Sequence, residues 1–231
     1  MVRLAREQMT RMARARRKAE RPGEILEAAF EEFIQRGYEA TRLDDIALRA
    51  GVTKGTIYVY FENKERVFEA LVRELEKSLR EQVEPFFEDR GPPTAQSIRD
   101  DLMMLYRVCA NDRRGRELLR LLIAEAVRFP DLVDEHFQNL VGPMFEKLGQ
   151  RLHQGVASGA FRPTPAMNFP ELLLGPALSL HIWKLLFSDR KPLDAEQHFE
   201  AALDLILRGL LPPDDKTPEM GAISKPRTNS E

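Results

Sequence analysis

The sequence predicts an all-α protein, on three observations. Apolar residues recur at helical spacing along nearly the whole chain, and no stretch alternates apolar and polar residues better than a helical pattern fits it. Pro, Gly, Asn, Asp and Thr punctuate these stretches where helix caps and breaks belong. The composition is globular, with 231 residues, 43% hydrophobic and 31% charged. A chain of this size can bury ~70–75% of its unfolded surface, so its core needs no staple. The single Cys109 forms no intrachain disulfide, and four scattered His complete no zinc pattern with it. No metal and no cofactor are expected.

The elements follow in order. From Pro22 to Arg36, residues Ile25, Leu26, Ala28, Ala29, Phe30, Phe33 and Ile34 form an apolar stripe. Pro22 suits a first turn, and Gly37 suits the left-handed cap. A short helix is expected from Arg42 to Ala50, capped by Thr41 with Asp44 as its capping-box partner and ended by Gly51. A third starts after Thr53 and runs to about Tyr60; Asn63 caps a fourth, from Lys64 to about Pro85. After Gly91, Pro92 and Pro93, helices are expected at 94–110, 115–128, 130–158, 165–187 and 194–210. The chain then divides into a basic flexible arm (1–21), a reading head (22–66), a larger helical domain (67–211) and a polar, disordered tail (212–231).

Charge is informative by position. The formal net charge is −2, yet the first 21 residues hold eight Lys or Arg against Glu7 and Glu20. A basic arm on an otherwise acidic chain suits a polyanion. Arg17, Lys18 and Arg21 stand nearest the first helix, where they would add affinity rather than sequence preference. The basic start has no apolar run behind it, so no export signal is read. The most apolar stretch, Leu172 to Phe187, is interrupted by Gly175, Pro176, His181 and Lys184 and is too short to span a bilayer. A cytoplasmic protein with no membrane partner is expected.

Leu43 to Tyr60 carries the chemistry. A short helix, a turn at Gly51 and a second short helix have helix-turn-helix spacing. Ala47 is small enough for the crossing, and Ile46, Ala50, Val52 and Ile57 supply the apolar contacts. Lys54, Gly55, Thr56, Tyr58 and Tyr60 are left outside: a cation, a residue permitting close approach, and hydroxyls for phosphates or base edges.

Thr41 to Leu71 resembles the DNA-binding domain of the tetracycline-repressor (TetR) family. The matching residues are Thr41, Ala50-Gly51-Val52, Gly55-Thr56-Ile57-Tyr58, Tyr60-Phe61 and Asn63-Lys64, with Phe30, Gly37 and Tyr38 before them. The resemblance implies an N-terminal three-helix helix-turn-helix domain followed by a C-terminal helical ligand-binding and dimerisation domain. It also implies that Thr53, Lys54, Gly55 and Thr56 enter the major groove of double-stranded DNA. Tyr58 would touch phosphate or a thymine methyl, Tyr60 and Lys64 would clamp phosphates, and Thr41 would donate to one. Val59 would face inward or sit near the groove wall.

The family's second domain implies a homodimer through the last two helices, reading a palindromic operator, and release by a small effector. Met103, Met104, Tyr106, Phe129, Phe137, Met144, Phe145 and Trp183 are the candidate lining of its pocket, with His136, His153 or His181 as polar groups. Such a lining suits an apolar or amphipathic ligand. The function expected is a transcriptional regulator, more specifically a repressor, and not an enzyme. Two rivals are a helical enzyme using the helix-turn-helix as scaffold and a DNA-organising protein with no preferred site.

Overall fold

A computed structural model describes the backbone of residues 2–212 and the side chains of 20–109 and 112–212. It is built of helices: α1 (Val2–Ala40), α2 (Leu43–Arg49), α3 (Lys54–Tyr60), α4 (Lys64–Val83), α5 (Ala95–Asn111), α6 (Arg113–Glu125), α7 (Pro130–His136), α8 (Gly142–Ala157), α9 (Gly175–Phe187) and α10 (Ala195–Leu210). No strand occurs among the described residues. Apart from Pro212, the tail expected at 212–231 lies outside them.

Three boundaries differ from expectation, each for a local reason. Residues 2–21 are not a separate flexible arm but the first turns of α1, which carries Pro22 in its interior. The stretch is rich in Ala, Arg, Met, Glu and Lys, all strong helix formers, and Pro22 removes a single backbone donor. Gly37 breaks the helical dihedrals with φ 76° and ψ 170°, a conformation open to glycine. The helix expected at 130–158 widens into a π turn, Phe137–Val141, closed by Gly142 N–H donating to the Phe137 carbonyl. Pro143 follows at once; it has no N–H for the preceding turn, and its ring crowds that turn's carbonyl. Pro165, Pro170 and Pro176 likewise cut the helix expected at 165–187 into two 3-10 turns, Pro165–Asn168 and Pro170–Leu173, before α9.

Among the described residues, side chains cap five of the ten α-helices. Thr53 accepts from Thr56 N–H at 3.2 Å, Asn63 from Arg66 N–H at 2.8 Å, and Asp194 from Gln197 N–H at 2.8 Å. Thr41 does not cap α2. Its buried hydroxyl donates to the Gly37 carbonyl at 2.7 Å and the Glu32 carbonyl at 3.2 Å, closing the end of α1. The cap position falls to Arg42, whose N–H donates to Asp45 at 3.3 Å.

Two cores organise the molecule. The first joins α1–α4 to α6 and α7, so that Phe30, Phe33, Ile46, Ile57 and Phe68 share one cluster with Leu118, Leu121 and Leu132. An aromatic group anchors it: Tyr38 lies 5.0 Å from Phe68 and 5.1 Å from Phe129, centroid to centroid. Polar contacts hold α6 to α1 over the same face. Arg113 grips Glu31 with two bonds of 2.8 and 3.1 Å, Arg114 pairs with Glu27, Arg128 pairs with Glu39, and Arg120 donates to the Ile34 carbonyl at 3.2 Å. The second core joins α5, α8, α9 and α10 through Ile98, Leu102, Tyr106, Leu148, Leu180 and Phe199. Leu79 on α4 packs against both.

One glycine in the second core is sterically required. A Cβ on Gly155 would collide with the ring of buried Phe161. Alanine inside a helix normally stabilises by about 0.5–1 kcal/mol over glycine. Gly155→Ala should instead destabilise by about 1–3 kcal/mol, because a ring has no free rotamer to retreat into. A thermal melt with an unchanged or raised midpoint would contradict this.

Candidate nucleic-acid interface and seam cavity

The helix-turn-helix closes as its sequence directs. Gly51 turns with φ 64°, and Val52 N–H returns to the Ala47 carbonyl at 2.9 Å, with Ala47 buried at the crossing. Ile46 and Ile57 lock α2 and α3 into the first core. Buried Glu32 on α1 receives Arg49 Nε from α2 at 2.6 Å and Arg36 Nε at 3.2 Å. Arg36 also reaches Asp45 at 3.2 Å, so α2 is held to α1 by charge as well as packing.

This leaves one face of α3 in the open. Lys54 and Gly55 are exposed, and the space around the Gly55 α-carbon is clear but for Thr53 Oγ1 at 3.7 Å. The Thr53 and Thr56 hydroxyls meet at 2.9 Å, and Tyr58 is half exposed. Val59 does not face inward: it is 71% exposed, on the same open side. Leu48 on α2, which the sequence reading passed over, is 83% exposed. Its position on the outer side of a seven-residue helix was the available signal. A large apolar side chain left in water beside a basic, hydroxylated helix suits a contact surface better than a free one.

Four expected contact residues are engaged within the chain. Lys54 Nζ pairs with Asp44 at 2.8 Å, and that hydrogen bond raises its pKa. Lys64 donates to the Tyr38 carbonyl at 2.8 Å and the Glu39 carbonyl at 3.2 Å, and sits 4.2 Å over the Tyr38 ring. Burial lowers its pKa, and its donation to these two carbonyls makes it a C-terminal cap of α1. Thr41 is buried with its hydroxyl committed, as described. Tyr60 packs partly against the first core. Arg21 pairs with Glu24 at 2.7 Å. The side chains of Arg17 and Lys18 lie outside the described residues.

A second feature lies at the seam of the two cores. A cavity of about 350 Å³ opens between α4, α6, the π turn, α8 and α9. Leu79, Leu118 and Leu119 line one side; Leu140, Met144 and Phe145 line another. Of the eight apolar residues expected to form a pocket, Met144 and Phe145 are there. Met103 and Tyr106 are core, with the Tyr106 hydroxyl donating to the Leu173 carbonyl. Phe129 belongs to the aromatic group of the first core, and Phe137 is 55% exposed. Trp183 donates Nε1–H to the Lys191 carbonyl at 2.8 Å and packs on Phe187.

The polar members of the lining are His136, His181, Cys109 and Glu171. Desolvation lowers the pKa of both histidines, which keeps them neutral near pH 7. Desolvation by the surrounding cavity wall pushes the Cys109 thiol up to about 11, although the residue keeps surface open to solvent. His136 Nδ1 stands 3.9 Å from Glu76 on α4, with no hydrogen-bond partner of its own. The neighbouring Glu135 takes Arg73 of α4 in two bonds of 2.8 and 2.9 Å. No cluster that could hold a metal ion occurs among the described residues, and no helix there is long and apolar enough to cross a membrane.

Comparison with known proteins decides the family. Residues 25–71 match the family described as bacterial regulatory proteins, tetR family, and residues 92–206 match the tetracyclin repressor-like C-terminal domain. The HTH-type transcriptional regulator YhgD of Bacillus subtilis is 31% identical over 176 residues, which span 74% of this chain and 87% of that one. The chain belongs to the TetR family. A second TetR relative, the HTH-type transcriptional repressor KstR2 of Mycolicibacterium smegmatis, is 28% identical over 83% of this chain and 91% of its own. The fold matches a putative TetR-family regulator from Mesorhizobium loti with a TM-score of 0.63 at 22% identity, over 84% of this chain and 98% of that one. TetR-family proteins are DNA-binding transcriptional regulators and not enzymes, which removes the enzyme reading of the helical domain.

Proposed function

We propose that this TetR-family protein is a repressor that binds a palindromic operator as a homodimer and leaves it when a small apolar or amphipathic molecule enters the seam cavity. The observation that carries the reading is the position of that cavity. It lies between the core that includes α3 and the core that includes α9 and α10.

Dimerisation is supported by surface that a single chain leaves wet. On α9, Leu178, Ile182, Leu185 and Leu186 are 41–55% exposed, and Leu205 on α10 is 73% exposed. Such a stripe on the last two helices fits a second copy of the chain. One short recognition helix reads few bases, whereas two held ~34–36 Å apart read successive major grooves. Lys54, Thr56, Tyr58 and Gly55 are the contacts proposed for each half-site. Lys54 exchanges Asp44 for phosphate or base, while Lys64 and Thr41 act indirectly by fixing the end of α1 against α4.

Release follows from the two cores. One face of α6 lines the cavity through Gly115, Leu118 and Leu119, and another is pinned to α1 by Arg113 and Arg114. A molecule that fits the seam better at another α6 position shifts the first core, and α3 with it, relative to α9. The operator then loses affinity by the ligand's preference between the two arrangements.

Selection of genomic fragments on the purified protein at about 150 mM salt tests this, with a Lys54→Ala/Tyr58→Ala chain as control. An enriched palindrome that disappears with the control is expected. Enrichment without a palindrome would favour the DNA-organising rival, and enrichment unchanged by the control would remove α3 as the reader.

A further inference from the structure

The electrostatics of the seam cavity carry the reading one step further, to the charge of the molecule it takes. Almost all of the lining is hydrocarbon, and among the described residues no Lys or Arg contributes to it. His136 and His181 reach it as neutral rings, so neither offers a positive charge. The one formal charge in the lining is Glu171, exposed on the 3-10 turn at Pro170–Leu173. Behind the lining, Glu76 faces His136, Asp112 faces Cys109, and Glu117 faces His181. Cations stand behind the lining as well: Arg73 and Arg80 near Glu76, Arg120 paired with Glu117, and Arg116 and Lys184 near His181. The wall of the chamber itself therefore carries one carboxylate and no positive group.

We propose that the cavity takes a lipophilic cation: an apolar body filling about 350 Å³ with its positive group beside Glu171 at the mouth. This rests on the cavity being the effector site and specifies what enters it. A hydrocarbon body gains by leaving water, whatever its head group. The head group then decides. A cation meets a carboxylate at the mouth, an alcohol finds the two histidines as hydrogen-bond partners, and an anion meets Glu171 with no counter-charge.

Cys109 provides the readout. It is the chain's single cysteine, and it is exposed at the cavity lining, so a bound molecule shields it from a small uncharged maleimide. Labelling at alkaline pH, followed by intact mass, would be titrated with decyltrimethylammonium, decanol and decanoate below their micelle-forming concentrations. These share one hydrocarbon body and differ in charge.

Half-protection is expected at the lowest concentration for the ammonium, about three- to fivefold below the alcohol, as for a partly exposed ion pair. Decanoate should need on the order of tenfold more than the alcohol. Glu171→Gln should erase the gap between ammonium and alcohol, and Glu171→Lys should place decanoate ahead of the ammonium. Glu171 is an exposed turn residue, so neither change threatens the fold. Equal half-protection by all three, tighter binding of decanoate, or no protection by any would overturn the assignment.

Operator release, measured in parallel, separates this from the effector reading. Protection by the ammonium without release leaves the charge assignment standing and removes the effector role. Release by all three with equal protection does the reverse.

Discussion

A chain carrying Ile182→Glu and Leu186→Glu should be a monomer and should lose operator affinity by about a hundred- to ten-thousandfold, the gain ordinarily supplied by joining two binding modules. The two residues stand one turn apart on α9, and the single chain leaves them 41% and 55% exposed. Glutamate there disturbs nothing inside the chain, because neither side chain belongs to either core. In a symmetric interface each substitution occurs twice, so four carboxylates would be gathered into an apolar seam. The monomer still presents α3, and it should retain the weak, salt-sensitive attraction to DNA that phosphate contacts give. Sedimentation gives the mass and a salt titration gives the residual binding. A dimer that persists, or an operator affinity within a fewfold of the parent, would place the interface elsewhere.

What the sequence disclosed and what it hid divide along a physical line. Helices α1 to α4 were legible because their signals are local: the stripe from Ile25 to Ile34, the caps Thr53 and Asn63, and the left-handed turns at Gly37 and Gly51. The open face of α3 was legible for the same reason, since a seven-residue helix with one buried Ile57 has few faces to assign. The cavity was not legible. Met103, Tyr106 and Phe129 have the composition of a ligand pocket, and composition does not distinguish a packed core from the gap between two cores. The lining comes from helices far apart in sequence, and Leu79, Leu118 and Leu140 carry no mark of it. Lys64 and Thr41 were assigned to phosphates by the family resemblance. The carbonyls at the end of α1 compete for the same donors, and they are nearer. The π turn before Gly142 was signalled only by Pro143, whose effect on the preceding turn is easily taken for an ordinary helix start.

Arg151→Met is expected to cost about 3–5 kcal/mol of folding stability, the usual penalty for stranding one partner of a buried ion pair. Arg151 on α8 and Asp101 on α5 meet at 2.8 Å with side chains only 4% and 3% exposed, which ties two helices of the second core together. Ser97 Oγ accepts from Arg151 at 3.2 Å, and Arg90 approaches the other Asp101 oxygen at 3.4 Å. Burial pushes the Asp101 carboxyl up, and the charges of Arg151 and Arg90 pull it back. Without Arg151 the first effect is left with less opposition, and the native state holds a proton on Asp101 more tightly than the unfolded chain does. Native stability then falls as pH rises above the unfolded value of 3.8 and through the raised native one. The deficit of Arg151→Met should therefore be largest at neutral pH and shrink on acidification. Asp101→Asn, which leaves the guanidinium buried instead, should show a comparable loss at pH 7 that acid does not relieve. The decisive variant is Arg151→Met with Asp101→Leu, measured by urea unfolding at one protein concentration. Removing both charges and refilling the space with hydrocarbon should restore most of the stability, because the pair offsets its own desolvation rather than adding much beyond it. If the double variant is as unstable as either single one, the two residues stabilise the core through the hydrogen bonds of Ser97 and Arg90, and the ion pair is incidental.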